Sequence, residues 1–343
     1  MLKKYILWCS LIVFMLFTIP IMSEEWYIYE HNLTSENLNF MNGYLGDFVV
    51  GNNGIVLHCS YPSYSNLTNP EWRKEYPPTF ENLFGISSTP MGIYIVGNNG
   101  TICYKRGGTG KWTLIDSPTS DNLFSVTLIK PKEGFIVGSS GSILYGGGEE
   151  PVWYKYESSP TTKDLHSVSG DEYNYIPNTS WAVGAGGTIV DYENGVWSLY
   201  PNSPTTNDLY CVSVYFSTQA YACGANGTIL LWNGSSWFKV ESTTSENLYA
   251  IKWWTDYDVF CVGANGTILY SSDKGYTWKK ESCPVNINLY GIACNGIYVW
   301  AVGKNGTILI RGKVLDNIIP ESIGIIKSIF SSQTIQSNMN KIY

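Results

Sequence analysis

Acidic residues in predicted loops are the first candidates for chemistry in this chain of 343 residues. Hydrolysis of a glycosidic bond needs two carboxyl groups that flank the bond, one as the proton donor and one as the base or nucleophile. The irregular loops supply four such groups, on Asp171, Glu172, Asp256 and Asp258. Because nothing in the sequence pairs them and loop carboxylates are usually solvated, we assign no catalytic residue and predict that the protein is not an enzyme.

The cysteines fit a structural role better than a redox or metal-binding one. Of eight cysteines, seven lie beyond the N-terminal apolar stretch, mostly at strand positions. Cys103, Cys223 and Cys261 occupy apolar positions of a repeated motif, which predicts small buried side chains. Cys283 and Cys294 both lie near the junction of two strands and are the pair that we would test for a disulfide bond.

Histidine usage and net charge narrow the classes of ligand and partner. His31, His58 and His166 are spread over different repeats, and His166 takes an aromatic position after Leu165. Because there is no Cys-x-x-Cys motif and no paired histidine, we predict no metal and no cofactor. The net charge is −7 and no basic patch is available to neutralise phosphates, so nucleic acid is not an expected partner.

The elements that must position any site come from a motif that is repeated seven times, with a tryptophan, an Asn-Leu or Asp-Leu marker and a turn glycine in each unit. The turn glycines are Gly54, Gly100, Gly141, Gly187, Gly227, Gly266 and Gly306. The markers begin at Asn37, Asn82, Asn122, Asp164, Asp208, Asn247 and Asn288. The tryptophans are Trp26, Trp72, Trp112, Trp153, Trp197, Trp237 and Trp278. A period of about 40 residues with several short strands per unit predicts an all-β fold, a seven-bladed β-propeller of four-stranded antiparallel blades.

One regular unit, residues 247–282, shows how each blade is expected to be built. Apolar alternation predicts four strands, at 248–253, 259–262, 267–271 and 276–280. Asn265 and Gly266 are a hairpin signal between the second and third strands, since they adopt positive φ at low cost. Trp278 is the expected apolar anchor of the outer strand.

The two ends of the repeat region predict how the ring closes. The chain enters with an outer-type strand at 26–29, whereas the last unit ends after a third-type strand at 307–311. We therefore predict that the N-terminal strand completes the seventh blade, because pairing the two ends removes the exposed edges of an open ring.

Aromatic side chains in loops that break the repeat are the candidate contact residues. The Ser-Pro-Thr connections and the Asn-Gly hairpins fall on one rim, are nearly identical from blade to blade, and are typical turn formers. The opposite rim carries irregular loops in the first, fourth and sixth units. Tyrosine and tryptophan dominate binding hot spots and also stack on sugar rings. With local packing of the longer loops as the alternative, we predict binding residues at Tyr61, Tyr64, Tyr173, Tyr175, Trp254 and Tyr257.

The segments outside the repeats indicate the cellular location of the protein. Residues 1–23 contain an uncharged apolar run at 5–22 after two lysines, which predicts a secretory signal peptide or an N-terminal anchor. The propeller is expected at 24–313, and the tail at 314–343 is expected to form a short helix followed by disorder. We therefore predict an exported protein, periplasmic, cell-surface or secreted, with membrane contact only through an uncleaved leader.

Two motifs carry a family resemblance that covers residues 26–312. The stretch Ser271-Ser-Asp-Lys-Gly-Tyr-Thr-Trp278 is similar to the Asp-box of sialidase-type (BNR) propellers, and Val-Gly-x-x-Gly-Thr-Ile-Leu resembles the repeat of the photosystem II assembly-factor propellers. The resemblance implies a structural turn, away from any active site, in which the carboxylate bonds backbone amides. The residues of this implied turn are Ser271, Asp273, Gly275, Thr277 and Trp278.

The resemblance implies two functions. Sialidase activity would need three arginines on a substrate carboxylate, but Arg73, Arg106 and Arg311 do not begin innermost strands. The assembly-factor propellers imply a scaffold that holds a protein partner during assembly of a membrane complex, although this acidic chain lacks the arginine patch of that family. We therefore expect an exported, non-enzymatic, monomeric scaffold for a protein partner, acting in assembly of a membrane or envelope complex. A cell-surface glycan-binding or adhesion propeller is the alternative, and a glycoside hydrolase is less favoured.

Overall fold

Short strands dominate the structure because apolar and β-branched residues alternate with turn residues throughout the repeats. The computed structural model describes residues 25–42, 48–60, 70–89, 92–107, 110–130, 133–148, 151–170, 180–295 and 298–311. These residues form seven four-stranded antiparallel sheets. The strands belong to one unit, Trp26–Ser60 with Glu71–Arg311. Of a second unit, Met1–Glu25 with Tyr61–Pro70 and Gly312–Tyr343, the structure describes Glu25 and Pro70 alone.

Each sheet is one blade, and in the first six blades the strands follow the chain from the innermost to the outermost. Blade 1 contains β2 (Leu38–Asn42), β3 (Phe48–Gly51), β4 (Val56–Ser60) and β5 (Glu71–Glu75). Blade 2 contains β6 (Leu83–Thr89), β7 (Gly92–Gly97), β8 (Ile102–Arg106) and β9 (Trp112–Ile115). Blade 3 contains β10 (Leu123–Lys130), β11 (Glu133–Gly138), β12 (Ile143–Gly147) and β13 (Val152–Lys155). Blade 4 contains β14 (Leu165–Gly170), β15 (Ser180–Gly184), β16 (Ile189–Glu193) and β17 (Val196–Leu199).

The last three blades follow the same order, and the seventh takes its outer strand from the start of the chain. Blade 5 contains β18 (Leu209–Phe216), β19 (Gln219–Gly224), β20 (Ile229–Trp232) and β21 (Trp237–Val240). Blade 6 contains β22 (Leu248–Trp253), β23 (Val259–Gly263), β24 (Ile268–Ser271) and β25 (Lys279–Lys280). Blade 7 contains β26 (Leu289–Cys294), β27 (Val299–Gly303), β28 (Ile308–Arg311) and β1 (Trp26–Ile28). The predicted seven-bladed propeller is confirmed.

Ring closure through the N-terminal strand is also confirmed. Strand β1 pairs antiparallel with β28, with Trp26 opposite Arg311. The indole Nε1 of Trp26 donates a hydrogen bond to Glu281 Oε2 at 2.6 Å, so the closing strand is also tied to blade 6.

Seven three-residue turns join the second and third strands, at Asn52–Gly54, Asn98–Gly100, Ser139–Gly141, Ala185–Gly187, Ala225–Gly227, Ala264–Gly266 and Lys304–Gly306. In the sixth blade, Thr267 N donates to Ala264 O at 2.9 Å across Asn265 and Gly266. Those two residues have φ of 52° and 67°, as a type I′ turn requires. The hairpin signal read from the sequence is therefore correct.

The Asn or Asp of each Leu marker links one blade to the next. Its side-chain oxygen accepts a hydrogen bond from the middle residue of the preceding blade's turn. The seven bonds join Asn53 N to Asn82, Asn99 N to Asn122, Ser140 N to Asp164, Gly186 N to Asp208, Asn226 N to Asn247, Asn265 N to Asn288, and Asn305 N to Asn37, at 2.7–3.2 Å. The last of these crosses the ring closure, so the bonds run from blade to blade around the ring. We call the rim that carries these turns, together with the connections from each outer strand to the next inner strand, the hairpin rim.

Aromatic pairs fill the space between neighbouring blades. The outer tryptophan of one blade meets an aromatic residue on the second strand of the preceding blade in an edge-to-face contact, with ring centroids 5.0–6.1 Å apart. The pairs are Trp26 with Phe260, Trp72 with Trp300, Trp153 with Tyr94, Trp197 with Phe135, and Trp237 with Trp181. Each such contact adds about 1 kcal/mol beyond its buried area.

Among the described residues, two blade interfaces contain a buried ion pair at equivalent positions. Between blades 1 and 2, Lys105 Nζ lies 2.6 Å from Glu75 Oε2, and Trp112 Nε1 donates to the same oxygen at 2.7 Å. Between blades 6 and 7, Arg311 donates to both oxygens of Glu281 at 3.0 and 3.2 Å. Burial alone would raise the pKa of Glu75, but hydrogen bonds from His58, Lys105 and Trp112 outweigh it and lower that pKa to about 2.

Among the described residues, no helix has the length and apolar character that a membrane span requires. The predicted leader (1–23) and tail (314–343) lie outside the described residues.

Candidate functional site

A ring of seven side chains surrounds the central channel at the hairpin rim. They occupy the second position of each innermost strand, directly after the marker leucine, and all are half-buried. We call this set the collar: Asn39, Phe84, Phe124, His166, Tyr210, Tyr249 and Tyr290. With neighbouring residues of the same strands they line a cavity of about 260 Å³. The sequence identified an aromatic position after Leu165, but not that its seven copies meet.

The collar rings follow the symmetry of the propeller. Centroids of successive rings from Phe84 to Tyr290 lie 5.3–5.9 Å apart, and successive planes are inclined by 39–64°. One seventh of a full turn is about 51°, so each ring repeats the orientation of the last. A regular seven-membered ring with this spacing is about 13 Å across, which leaves an opening of at most about 10 Å after van der Waals contact distances are allowed for.

Asn39 and His166 are the two collar residues that are neither Phe nor Tyr, and each forms a hydrogen bond to a backbone carbonyl of the next blade. Asn39 Nδ2 donates to Leu83 O at 2.9 Å and also to Asn52 Oδ1 at 2.9 Å. His166 Nδ1 bonds Leu209 O at 2.9 Å. A carbonyl oxygen can only accept, so Nδ1 carries the proton, and in the tautomer with one proton Nε2 is the acceptor.

Serine hydroxyls line the channel below the collar and complete the inner edges of the blades. Innermost strands have an unpaired edge, whose N–H groups need partners. Ser125 and Ser167 accept hydrogen bonds from the backbone N–H of Val168 and Val212 in the next blade at 3.2 and 3.1 Å. The channel cavity, about 390 Å³, extends from these residues to Trp253 and Trp254 at the opposite rim.

Two aromatic side chains project from the hairpin rim. Tyr76 and Phe80, in the connection between β5 and β6, are 82% and 90% exposed. At the position of Phe80 the other six connections carry polar residues, Ser35, Ser120, Thr162, Thr206, Ser245 and Asn286. In three other connections the Ser-Pro-Thr residues form turns, as predicted, for example through Asp121 N donating to Thr119 Oγ1 at 3.1 Å.

The predicted contact residues divide into described and undescribed ones. Tyr61, Tyr64, Tyr173 and Tyr175 lie outside the described residues, as do Asp171 and Glu172. Trp254 is half-buried and packs on Phe260 with ring centroids 6.0 Å apart. Tyr257 is 59% exposed, with Lys274 Nζ 5.0 Å from its ring centroid. The structure therefore brings Trp254 and Tyr257 to one loop of blade 6, on the rim opposite the collar.

The loop carboxylates of blade 6 are held by strand tyrosines. Tyr270 Oη donates to Asp258 Oδ1 at 2.5 Å, and Thr255 Oγ1 donates to Asp258 Oδ2 at 2.6 Å. Tyr215 Oη donates to Asp256. These two carboxylates brace the loop, which the sequence did not indicate.

Side-chain hydrogen bonds hold the turn from Ser271 to Trp278. Asp273 Oδ1 accepts from Thr277 N at 2.8 Å, and Trp278 Nε1 donates to Gly275 O at 3.0 Å. Burial raises the pKa of Asp273, but hydrogen bonds from Thr277 and Ser271 outweigh it, so the pKa is lowered. Because the turn extends to Trp278, the predicted outer strand 276–280 was wrong at its start, and β25 holds only Lys279–Lys280.

The cysteines are unbridged in the part of the chain that the structure describes. Cys103, Cys223 and Cys261 are fully buried, as predicted, and burial raises the pKa of Cys103 to about 12. The suggested pair does not form, because Cys283 lies in a hairpin-rim connection whereas Cys294 ends β26 at the opposite end of the channel. Within the described ranges, no cluster of three or more His, Cys, Asp or Glu side chains is arranged to hold a metal ion.

The arginines are dispersed over the outer parts of the blades. Arg73 is on β5, Arg106 ends β8 and Arg311 is on β28. Arg311 is committed to Glu281 and lies 5.0 Å from the ring centroid of Phe260. None of the three is on an innermost strand, which agrees with the sequence-based expectation.

Comparisons with known proteins give a family-model match and similar folds. A model described as photosynthesis system II assembly factor YCF48 matches residues 233–311. A solved structure titled "YCF48 bound to D1 peptide" has a TM-score of 0.67 and 16% identity, over 84% of this chain and 95% of that one. YCF48 from Cyanidioschyzon merolae has a TM-score of 0.66 and 18% identity, over 83% and 98%. The WD40 propeller domain of Doa1 has a TM-score of 0.65 and 12% identity, over 83% and 94%. No match is found among curated proteins.

Fold and comparisons together define the class of protein. The chain is a seven-bladed β-propeller whose ring is closed by its N-terminal strand. In its repeats and its fold it resembles the photosystem II assembly-factor propellers.

Proposed function

We propose that this protein is an exported, non-enzymatic scaffold that binds a protein partner during assembly of a membrane or envelope complex. The propeller that it resembles is titled as bound to the D1 peptide, which supports a peptide or protein ligand for this chain too. The apolar run at 5–22 supports export. Nothing in the proposal requires the partner to be D1.

The observation that carries the proposal is the exposure of Phe80 and Tyr76 on the hairpin rim. A polar residue suffices at the position of Phe80 in every other unit, so the turn does not require an aromatic side chain there. Exposed aromatic side chains are typical of protein contact surfaces. The hairpin rim is therefore the first surface to test, and the Trp254 and Tyr257 loop on the opposite rim is the second.

Affinity capture from the native envelope, after mild cross-linking and with mass spectrometry, tests the proposal. The wild-type chain is expected to retain a specific envelope protein. The Y76A/F80A variant is expected to lose at least 80% of it, because hot-spot aromatic residues each contribute about 2 kcal/mol or more. Tyr154→Ala removes an aromatic residue that is 54% exposed on β13 and is the matched control.

The other outcomes of the capture experiment are equally specific. Loss with Tyr257→Ala, but not with Y76A/F80A, would move the contact to the opposite rim. Capture of no protein by the wild type, together with a glycan-array signal, would replace the proposal with the glycan-binding alternative. Recovery of the protein only from the cytosol, with residues 1–23 intact, would refute export.

A further inference from the structure

We propose that the collar receives a cationic side chain, arginine or lysine, from an extended segment of the partner protein, with its charge directed to blades 4 and 5. This inference rests on the proposed function, since it assigns the chemistry of the group that the scaffold binds.

Apart from the tyrosine hydroxyls, which can donate or accept, the polar atoms left in the collar are hydrogen-bond acceptors. Both amide hydrogens of Asn39 are used, on Asn52 and Leu83, so its oxygen remains. The Nδ1 proton of His166 is used on Leu209, so Nε2 remains as an acceptor. Arginine and lysine side chains carry donors and no acceptor, so they complement the free atoms of Asn39 and His166, whereas a carboxylate would find donors only on the tyrosine hydroxyls.

The aromatic rings favour the same ligand. Phe84, Phe124, Tyr210, Tyr249 and Tyr290 supply five π systems around one opening. Cations are attracted to such rings within about 6 Å of the centroid, and more strongly where water is partly excluded. In a ring about 13 Å across, a cation displaced from the axis reaches two or three ring centroids.

The hairpin rim around the collar has an excess of negative charge. This rim includes three sets of residues: the markers, the residues directly before the markers, and the turns. They contain six acidic residues and two basic residues. The acidic residues are Glu36, Glu81, Asp121, Asp164, Asp208 and Glu246, and the basic residues are Lys163 and Lys304. Asp121 is paired with Lys155, whose Nζ lies 3.6 Å from Oδ2. The field at the mouth therefore attracts a cation.

Asp164 and Asp208 carry charge that the fold does not need. Each caps the turn of the preceding blade, but asparagine makes the same cap in the five other blades. They precede His166 and Tyr210 of the collar by two residues. Burial raises the pKa of Tyr210, and the negative charge of Asp208 raises it further, so that charge is felt inside the collar.

The width of the opening limits the shape of the ligand. An α-helix with its side chains is about 10–12 Å in diameter, wider than the opening of at most about 10 Å. An extended segment, or one long side chain, fits. Phe80 and Tyr76 on the same rim then remain available for the flanking residues of the partner.

The test uses short blocked peptides of four glycines around one central residue: arginine, lysine, citrulline or glutamate. Binding to the whole protein is followed by ligand-observed NMR titration. The arginine and lysine peptides are expected to bind, the citrulline peptide at least threefold more weakly, and the glutamate peptide not detectably. Raising the salt concentration should weaken the arginine peptide, because exposed charges are screened.

Variants at the marker positions distinguish the effect of the marker charge on peptide binding from its effect on stability. D164N/D208N keeps both caps and is expected to melt like the wild type while binding the arginine peptide roughly three- to tenfold more weakly. Asn247→Asp adds a charge at an equivalent position and is expected to strengthen binding. Tyr249→Leu is expected to weaken it without altering the rim charges.

Failure of this inference can be told apart from failure of the proposed function. If the wild type captures an envelope protein, but D164N/D208N and Tyr249→Leu capture as much and citrulline binds as well as arginine, the collar is not the cation site while the scaffold role stands. If no protein is captured, the scaffold role fails, and equal binding of the arginine and citrulline peptides would overturn the collar assignment as well.

Discussion

Each turn glycine is constrained twice, by backbone conformation and by close approach. Gly100 has φ of +69°, and a methyl group added there would lie 2.0 Å from the carbonyl oxygen of Thr119. The other six turn glycines have φ of 65–72°, with a backbone carbonyl oxygen 1.9–2.2 Å from the same point. The strict repetition of this glycine is therefore a packing requirement between each turn and the connection beside it.

We expect Gly100→Ala to lower the free energy of unfolding by about 3 kcal/mol, since it combines positive-φ strain with a backbone clash. Gly195→Ala is the control, because Gly195 has φ of +89° but nothing within 4 Å of an added methyl group. It should cost about 1 kcal/mol. Chemical denaturation of the two variants measures the difference, and equal losses would contradict a role for close approach.

At the residue scale, the sequence predicted turns well and the candidate site poorly. The Asn265-Gly266 turn follows from local backbone preference, which adjacent residues encode. The collar instead joins residues about 40 positions apart, and each copy on its own resembles an ordinary apolar strand position. Phe80 is recognisable in the sequence as the one aromatic residue at a position that is Ser, Thr or Asn in the other six connections.

At the scale of elements, the alternation of apolar and polar residues predicted the strand positions, except where side-chain hydrogen bonds hold the backbone in a turn instead of a strand. Strand β22 has the predicted bounds. In contrast, β25 is two residues long because the side chains of Ser271 and Asp273 hold the residues just before this strand in a turn. The charged blade interfaces were not predictable either, since Glu75 and Lys105 are 30 residues apart and meet only when two blades pack.

The contacts of Glu75 with His58, Lys105 and Trp112 make the free energy of unfolding depend on pH. The pKa of Glu75 is about 2 in the folded protein against 4.5 ordinarily, so its contribution is complete above pH 4.5 and is lost as the pH falls towards 2. Linkage converts this difference to at most about 3 kcal/mol. We expect Glu75→Gln to be less stable at pH 7 and to lack this part of the acid dependence.

Urea unfolding at a series of pH values between 2 and 7 measures that dependence. Glu71→Gln, on the same strand but exposed, is the matched control and should unfold like the wild type throughout. If Glu75→Gln retained the full acid dependence, the ion pair with Lys105 would not be its source.

At the scale of the whole molecule, the pairing of β1 with β28 completes the ring. Deleting residues 1–29 removes β1, Trp26 and its bond to Glu281, and leaves β28 as an exposed edge. We expect this variant to melt at least 10 °C lower than one that lacks only residues 1–23, and to aggregate on concentration. Differential scanning calorimetry and size-exclusion chromatography compare the two, and equal melting temperatures would show that closure contributes little.

The same pairing imposes an order on biosynthesis. Strand β1 leaves the ribosome before all other described strands, and its partner β28 leaves after them. At usual elongation rates the interval is on the order of tens of seconds. During that time six blades can form from neighbouring segments, while the first strand waits for the last. Maturation of the protein is therefore timed by the arrival of its final repeat, however early the other blades fold.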